Sequence, residues 1–306
     1  MTWPARLAAV RRLGVTLVLG VILGVGACAH GPRILARGTL AYDVAAAGPL
    51  VASIELDTAF ALVLRRGDAT VSAPLGPPDR DFVAVTVDGN GDRIAVAGLD
   101  GTVRLFDARG AEHARFRLDE AATAVALSAD GSYLLHGAAS GVLCLRRSGD
   151  GALLQCVAAH DGRIAALAAD GDTAVSAGSD GEAIVWALPS LRILARHAAG
   201  APLVALAART GRVALARAAA PVLVWSWADD RVAESPPAAS AVAFLPDGSL
   251  ARLAPEGAIL AGARLLGRSQ HPLRGLAVAP DGHWLYVAGW TGTNLDGASL
   301  QAFPLP

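Results

Sequence analysis

Four glycines, Gly91, Gly131, Gly171 and Gly211, recur forty residues apart, each after an alternating apolar run. Three of them close a polar pair: Asn90-Gly91, Asp130-Gly131 and Asp170-Gly171. A chain that turns at one phase over this period can bury its apolar faces only by stacking like units. The period is that of a β-propeller with four-stranded blades.

The runs 83–87, 124–128, 164–168, 204–208, 241–245 and 275–279 share that phase and are rich in Ala and Val. Small side chains suit innermost strands, which crowd round the propeller axis. A second apolar segment follows each turn, such as 93–97, 133–136 or 285–288, and Gly or Asn supplies the positive φ that a two-residue hairpin loop needs. Asp247-Gly248 and Asp281-Gly282 continue the series at shorter intervals, so the later blades shed loop residues without losing phase. A fainter first unit has strands at 50–56, 60–64 and 69–72. The span from Cys28 to Pro306 accommodates seven blades of about forty residues, with six and eight as alternatives. Only three strands are evident in the last blade, while a spare strand stands at 38–44. That strand is expected to join the last blade, closing the ring and removing an open sheet edge. The predicted fold is all-β, a propeller over residues 38–306.

His160 precedes an innermost run, Ser176 lies on the second strand, Asp180 in the next turn and Trp186 on the third strand, within Ser176-Ala-Gly-Ser-Asp180-Gly and Ile184-Val-Trp186. This segment resembles the WD-repeat (tryptophan-aspartate) family. The resemblance implies a hydrogen-bonded network of His160, Ser176, Asp180 and Trp186, in which four buried polar groups satisfy one another. Other repeats keep fragments of it: Leu99-Asp100-Gly101 and Phe106-Asp107 in the second, His197 and Trp225 in the fifth. The third has Ser140 in the Asp place and His136 in the Ser place. Nowhere is the Trp-Asp pair intact, since Ala187 follows Trp186 and Ser226 follows Trp225. Quinoprotein-like and lactonase-like propellers are the alternatives.

Arg6, Arg11 and Arg12 precede an apolar stretch, Leu13 to Val25, too short to span a bilayer comfortably. A basic start, a short apolar region and small residues make an export signal over residues 1–27. Val25-Gly26-Ala27-Cys28 resembles the lipobox of bacterial lipoproteins. That resemblance implies lipidation of Cys28, a tether over 28–37, and a propeller in the periplasm or at the cell surface, with Ala29 favouring the outer membrane. An ordinary signal peptide and an uncleaved anchor are the alternatives.

All twenty-six basic residues are arginine, a coding bias shared with the abundance of Ala and Gly. Without the signal arginines the body is mildly acidic, which argues against nucleic acid as a partner. Cys144 and Cys156 flank a turn at 146–151, so in an oxidising compartment they can form a disulfide; two buried thiols are the alternative. His160, His197 and His271 each fall ahead of an innermost run, and the repeat accounts for them. Haem-attachment, nucleophile-elbow and phosphate-loop patterns are absent, so no catalytic residue, metal or cofactor is expected.

Binding residues of a propeller gather on the loops that enter innermost strands and link second to third strands. These carry Asp100, Asp119, Glu120, Arg163, Arg274 and a long insertion, Trp290 to Asp296, that includes Asn294. Trp290 beside Arg274 suits a protein partner, the alternative being that Trp290 packs inward. The expected function is a non-enzymatic, monomeric, lipid-anchored propeller that docks a partner protein in the cell envelope. The rival is a propeller enzyme, or a small-ligand or calcium sensor, using a central channel that these apolar innermost strands equip poorly.

Overall fold

Alternating apolar runs separated by glycine turns give strands throughout. The computed structural model describes residues 33–37, 39–77, 82–269, 273–279, 281–289 and 298–305, and these form seven four-stranded antiparallel sheets and no helix. The innermost strands of blades 1 to 7 are Leu40–Ala47, Phe82–Val87, Ala122–Leu127, Ile164–Asp170, Leu203–Arg209, Ala241–Phe244 and Leu273–Val278. In the first six blades the strands run outward in chain order.

Blade 7 departs from that order, because its outermost strand comes from the other end of the chain. Arg33–Arg37 pairs antiparallel with Ala298–Pro304. The expectation that residues 38–44 close the ring is thus corrected: Leu40–Ala47 is the innermost strand of blade 1, and the closing strand lies just before it. Burial explains the exchange. Leu40–Ala47 carries small residues that pack against blades 2 and 7, whereas Arg33–Arg37 has the half-exposed character of an edge. The expected tether over 28–37 is shortened for the same reason, since 33–37 is strand.

Seven apolar clusters fill the described body, one at each interface between neighbouring blades. Stacked sheets bury both faces of their middle strands, so Thr173–Gly178 in blade 4 is buried along nearly its whole length. Edge strands keep one face wet, and Glu112–Arg117 in blade 2 alternates strictly. Aromatic residues enter where two blades leave room. Phe60 meets Tyr42 and Phe82 edge to face at 5.1 and 5.5 Å, joining blade 1 to blade 2.

Six innermost strands carry an extra residue near their start: Tyr42, Val83, Thr123, Ala165, Val204 and Arg274. Such bulges raise the local twist and turn each strand into the axis. At Thr123 the hydroxyl bridges blades, donating to Ile164 O at 2.6 Å. The innermost strand of blade 6 has no such bulge and is the shortest of the seven.

Cys144 and Cys156 stand directly opposite each other on the third and outermost strands of blade 3, joined through sulfurs 1.99 Å apart.

Candidate functional site

The fullest polar constellation lies in blade 4, where the loop entering the innermost strand meets the turn between second and third strands. His160 Nδ1 is 3.1 Å from Asp180 Oδ2, His160 Nε2 is 2.7 Å from Ser176 Oγ, and Trp186 Nε1 donates to the same oxygen at 2.9 Å. One arrangement of protons satisfies every group. Nδ1–H donates to the carboxylate, Nε2 accepts the serine proton, and the serine oxygen accepts the indole N–H. Burial works against the Asp180 charge, but bonds from the Glu182 and Asp161 amides and the neighbouring imidazole hold its pKa below the usual carboxylate value. Gly178 makes the space, since a Cβ there would collide with both Asp180 and His160.

Asp, His and Ser in this sequence of bonds are the parts of a hydrolase triad, and accessibility decides whether they can act as one. Ser176 is 0 % exposed, and its oxygen already accepts the Trp186 N–H. No acyl group can approach it, so the arrangement ties strands together rather than attacking a substrate.

Blade 3 builds a different network at the same four positions. Asp119 stands where blade 4 has His160, its charge acting on His136 and Arg146, while the next residue, Glu120, receives hydrogen bonds from Ser140 N at 2.9 Å and Ser140 Oγ at 2.6 Å. His136 replaces the serine and Arg146 the tryptophan; Arg146 Nε donates to His136 Nε2 at 3.2 Å. Burial and then the Arg146 charge push His136 down to about 4, so its imidazole is neutral and can accept that bond. Blade 5 keeps Trp225, which donates to Asp230 and stacks on His197 with centroids 5.1 Å apart. His197 lies near the end of the outermost strand of blade 4, Arg192–Ala198, six residues ahead of the innermost strand of blade 5.

Among the residues expected to meet a partner, the entry loops separate two kinds. Glu120 is engaged with Ser140. Asp119 and Arg163, on the entry loops of adjacent blades 3 and 4, are exposed, and their side chains make no hydrogen bond or ion pair among the described residues. Trp290 and Asn294 lie outside the described residues, as do Cys28 and His271; Arg274 is described only in its backbone. Among the described residues no group of three or more His, Cys, Asp or Glu side chains could hold a metal ion.

A half-buried carboxyl near the axis escaped the sequence reading. Asp43, on the innermost strand of blade 1, accepts from Val44 N and from Val85 N of blade 2, each at 2.9 Å. Gly275 of blade 7 faces it closely; a Cβ there would lie 2.9 Å from Asp43 Oδ1. The carboxyl therefore stands where blades 7, 1 and 2 converge. Burial raises its pKa to about 7 against the opposing effect of the two amide bonds. Between the ordinary value near 4 and about 7, the folded chain keeps a proton that the unfolded chain releases. Stability therefore falls as pH rises through this window, by on the order of 1.4 kcal/mol per unit. Thermal melts of the wild type from pH 5 to 8 should show that decline, and Asp43→Asn should flatten it. An unchanged slope in the variant would assign the decline elsewhere.

The described residues form a seven-bladed propeller, and its blade 4 tetrad has the arrangement that the WD-repeat resemblance implies. Residues 76–107, from the end of blade 1 to the third strand of blade 2, match the family described as "WD domain, G-beta repeat". A chain in the crystal structure of the mitotic checkpoint complex superposes with a TM-score of 0.72 at 15% identity, over 95% of this chain and 99% of that one. The structure of U3-55K gives 0.73 at 14%, over 90% and 98%. At such identities the likeness is one of fold. Comparison with curated proteins gives no match.

Proposed function

We propose that this protein is a non-enzymatic docking module, held at a bacterial membrane through lipid on Cys28, that binds a partner protein on the face where the chain enters its blades. WD-repeat propellers commonly serve as interaction platforms. The observation that carries the reading is the division of labour on that face. His160, Asp180 and Glu120 are spent on holding loops together, while Asp119 and Arg163 present exposed charges of opposite sign on adjacent loops, Asp119 also facing the Arg146 charge of its own blade. Exposed charges on a rigid scaffold steer and register a partner more than they stabilise the scaffold.

Affinity purification of the full chain from detergent-solubilised membranes tests it. A partner protein should be recovered at near-stoichiometric yield, and Asp119→Arg combined with Arg163→Glu should abolish its recovery while circular dichroism shows the β fold retained. Cys28→Ser should release the protein from the membrane fraction. Equal recovery with the charge-reversed pair would remove this face from consideration, and recovery of lipid alone would remove the docking role.

A further inference from the structure

The opposite face of the ring carries the turns between first and second strands. At blades 5 and 6 two of these turns border an open hollow of about 180 Å³, whose lining includes Arg209, Thr210, Arg212, Phe244, Pro246 and Asp247. Its origin is the mismatch between a seven-residue innermost strand in blade 5 and a four-residue one in blade 6.

Most of the wall is already tied down. Arg209 donates to Leu245 O and, at 3.0 Å, to Pro246 O, which fastens the blade 5 turn to blade 6. Thr210 N donates to the Asp170 carboxylate of blade 4. Asp247 Oδ1 accepts from Ser249 N at 2.9 Å and Ser249 Oγ at 2.7 Å, bonds that hold its pKa below the usual carboxylate value and keep it ionised. Arg212 differs from all of these. Its Cζ lies 5.4 Å from the Phe244 ring centroid, and among the described residues its side chain makes no hydrogen bond or ion pair. A guanidinium lying over an aromatic ring is pre-oriented, with its donor fork free to point at a ligand.

We propose that this hollow binds a single carboxylate carried by a peptide segment of a partner protein, gripped bidentately by Arg212 above Phe244. The planar carboxylate matches the fork, and the pre-orientation by Phe244 lowers the entropy lost on binding. The ionised Asp247 on the same lining works against a dianion such as phosphate and can accept a backbone N–H from the bound segment. With Arg209 committed to two carbonyls, one available cation faces one fixed anion. That balance suits a peptide acid rather than a polyanion. This site is independent of the entry face.

The backbone amide resonances of Gly248 and Ser249 provide the readout, followed by NMR in the full mature chain. The probes are acetyl-Ala-Glu-Ala-amide, acetyl-Ala-Gln-Ala with a free C-terminus, the neutral acetyl-Ala-Gln-Ala-amide, and inorganic phosphate. At least one acidic peptide should shift both resonances saturably and bind about tenfold more tightly than phosphate or the neutral peptide; which one does so identifies a side-chain or a chain-terminal carboxylate as the source. Arg212→Gln should abolish the shift, and Arg212→Lys, which keeps the charge but loses the fork, should weaken binding by about tenfold. Arg212 is exposed, so neither variant disturbs the core. The proposal is overturned if no acidic peptide gives a saturable shift, if the neutral peptide or phosphate binds as well, or if Arg212→Gln binds like the wild type.

Discussion

A chain shortened to begin at Thr39 is expected to lose more than about 4 kcal/mol of stability, against no loss for one that begins at Gly31. The missing residues, Arg33–Arg37, supply the outermost strand of blade 7 and so, among the described residues, the only strand pairing that joins one end of the chain to the other. Ala36 belongs to the cluster that seals blade 7 against blade 1, with Ala41, Val44, Val51, Ala288 and Leu300. Arg33 lies over the Trp284 ring with its Cζ 4.7 Å from the centroid. Deletion strips these contacts and leaves Ala298–Pro304 as an unpaired apolar edge, a template for aggregation. Urea unfolding followed by circular dichroism measures the loss. Ala36→Asp keeps the chain length and puts an unpaired carboxylate into the same seam, so it should shift the midpoint in the same direction. An unshifted midpoint in the shortened chain would show that the ring holds without its closing strand.

Ser176→Ala is the second large effect, expected to cost about 2–4 kcal/mol although it removes a single oxygen. That oxygen serves two buried partners, and its loss strands the Trp186 N–H and the His160 Nε2 lone pair in the seam between blades 3 and 4. Trp186→Phe spares the serine–histidine bond and most of the ring volume, so it should cost less than half as much. Trp186→Ala opens a cavity and should cost about 3–5 kcal/mol. In blade 3 Glu120 pairs with Ser140 and Arg146 with His136, so Ser140→Ala should be nearly neutral at its exposed site. Chemical denaturation of the four variants tests the ranking. Equal costs for Ser140→Ala and Ser176→Ala would mean that the blade 4 chain of bonds has no special weight.

The blades were legible because their turns demand particular residues: Gly91, Gly131 and Gly248 all adopt positive φ, and each ends an innermost run at a fixed phase. Ring closure was harder to read. Leu40–Ala47 and Arg33–Arg37 are both plausible strands, and only the packing of Ala41 and Val44 into the blade 7 seam tells which is innermost. That misplacement also hid Asp43, because a carboxylate on an edge strand asks for no partner whereas one at the axis does. The replacement of His160 and Asp180 by Asp119 and Ser140 in blade 3 reads in sequence as decay. In space Ser140 is held by Glu120, one residue further along the entry loop, a contact visible only when that loop and the following turn are seen side by side. The hollow beside Arg212 had no sequence signal, since it arises from a difference in strand length between neighbours.

The closing strand also sets an order of events during synthesis. Arg33–Arg37 is among the first parts of the propeller to be made, and its partner Ala298–Pro304 is the last. Until the final residues are available the growing chain can stack its early blades only as an open arc, with the inner face of blade 1 uncovered and one strand waiting at the rim. Completion is therefore a late, long-range docking step, slow by virtue of the sequence distance it spans. The seam between blades 7 and 1 is the last to form, and it is the natural place for the finished ring to open first.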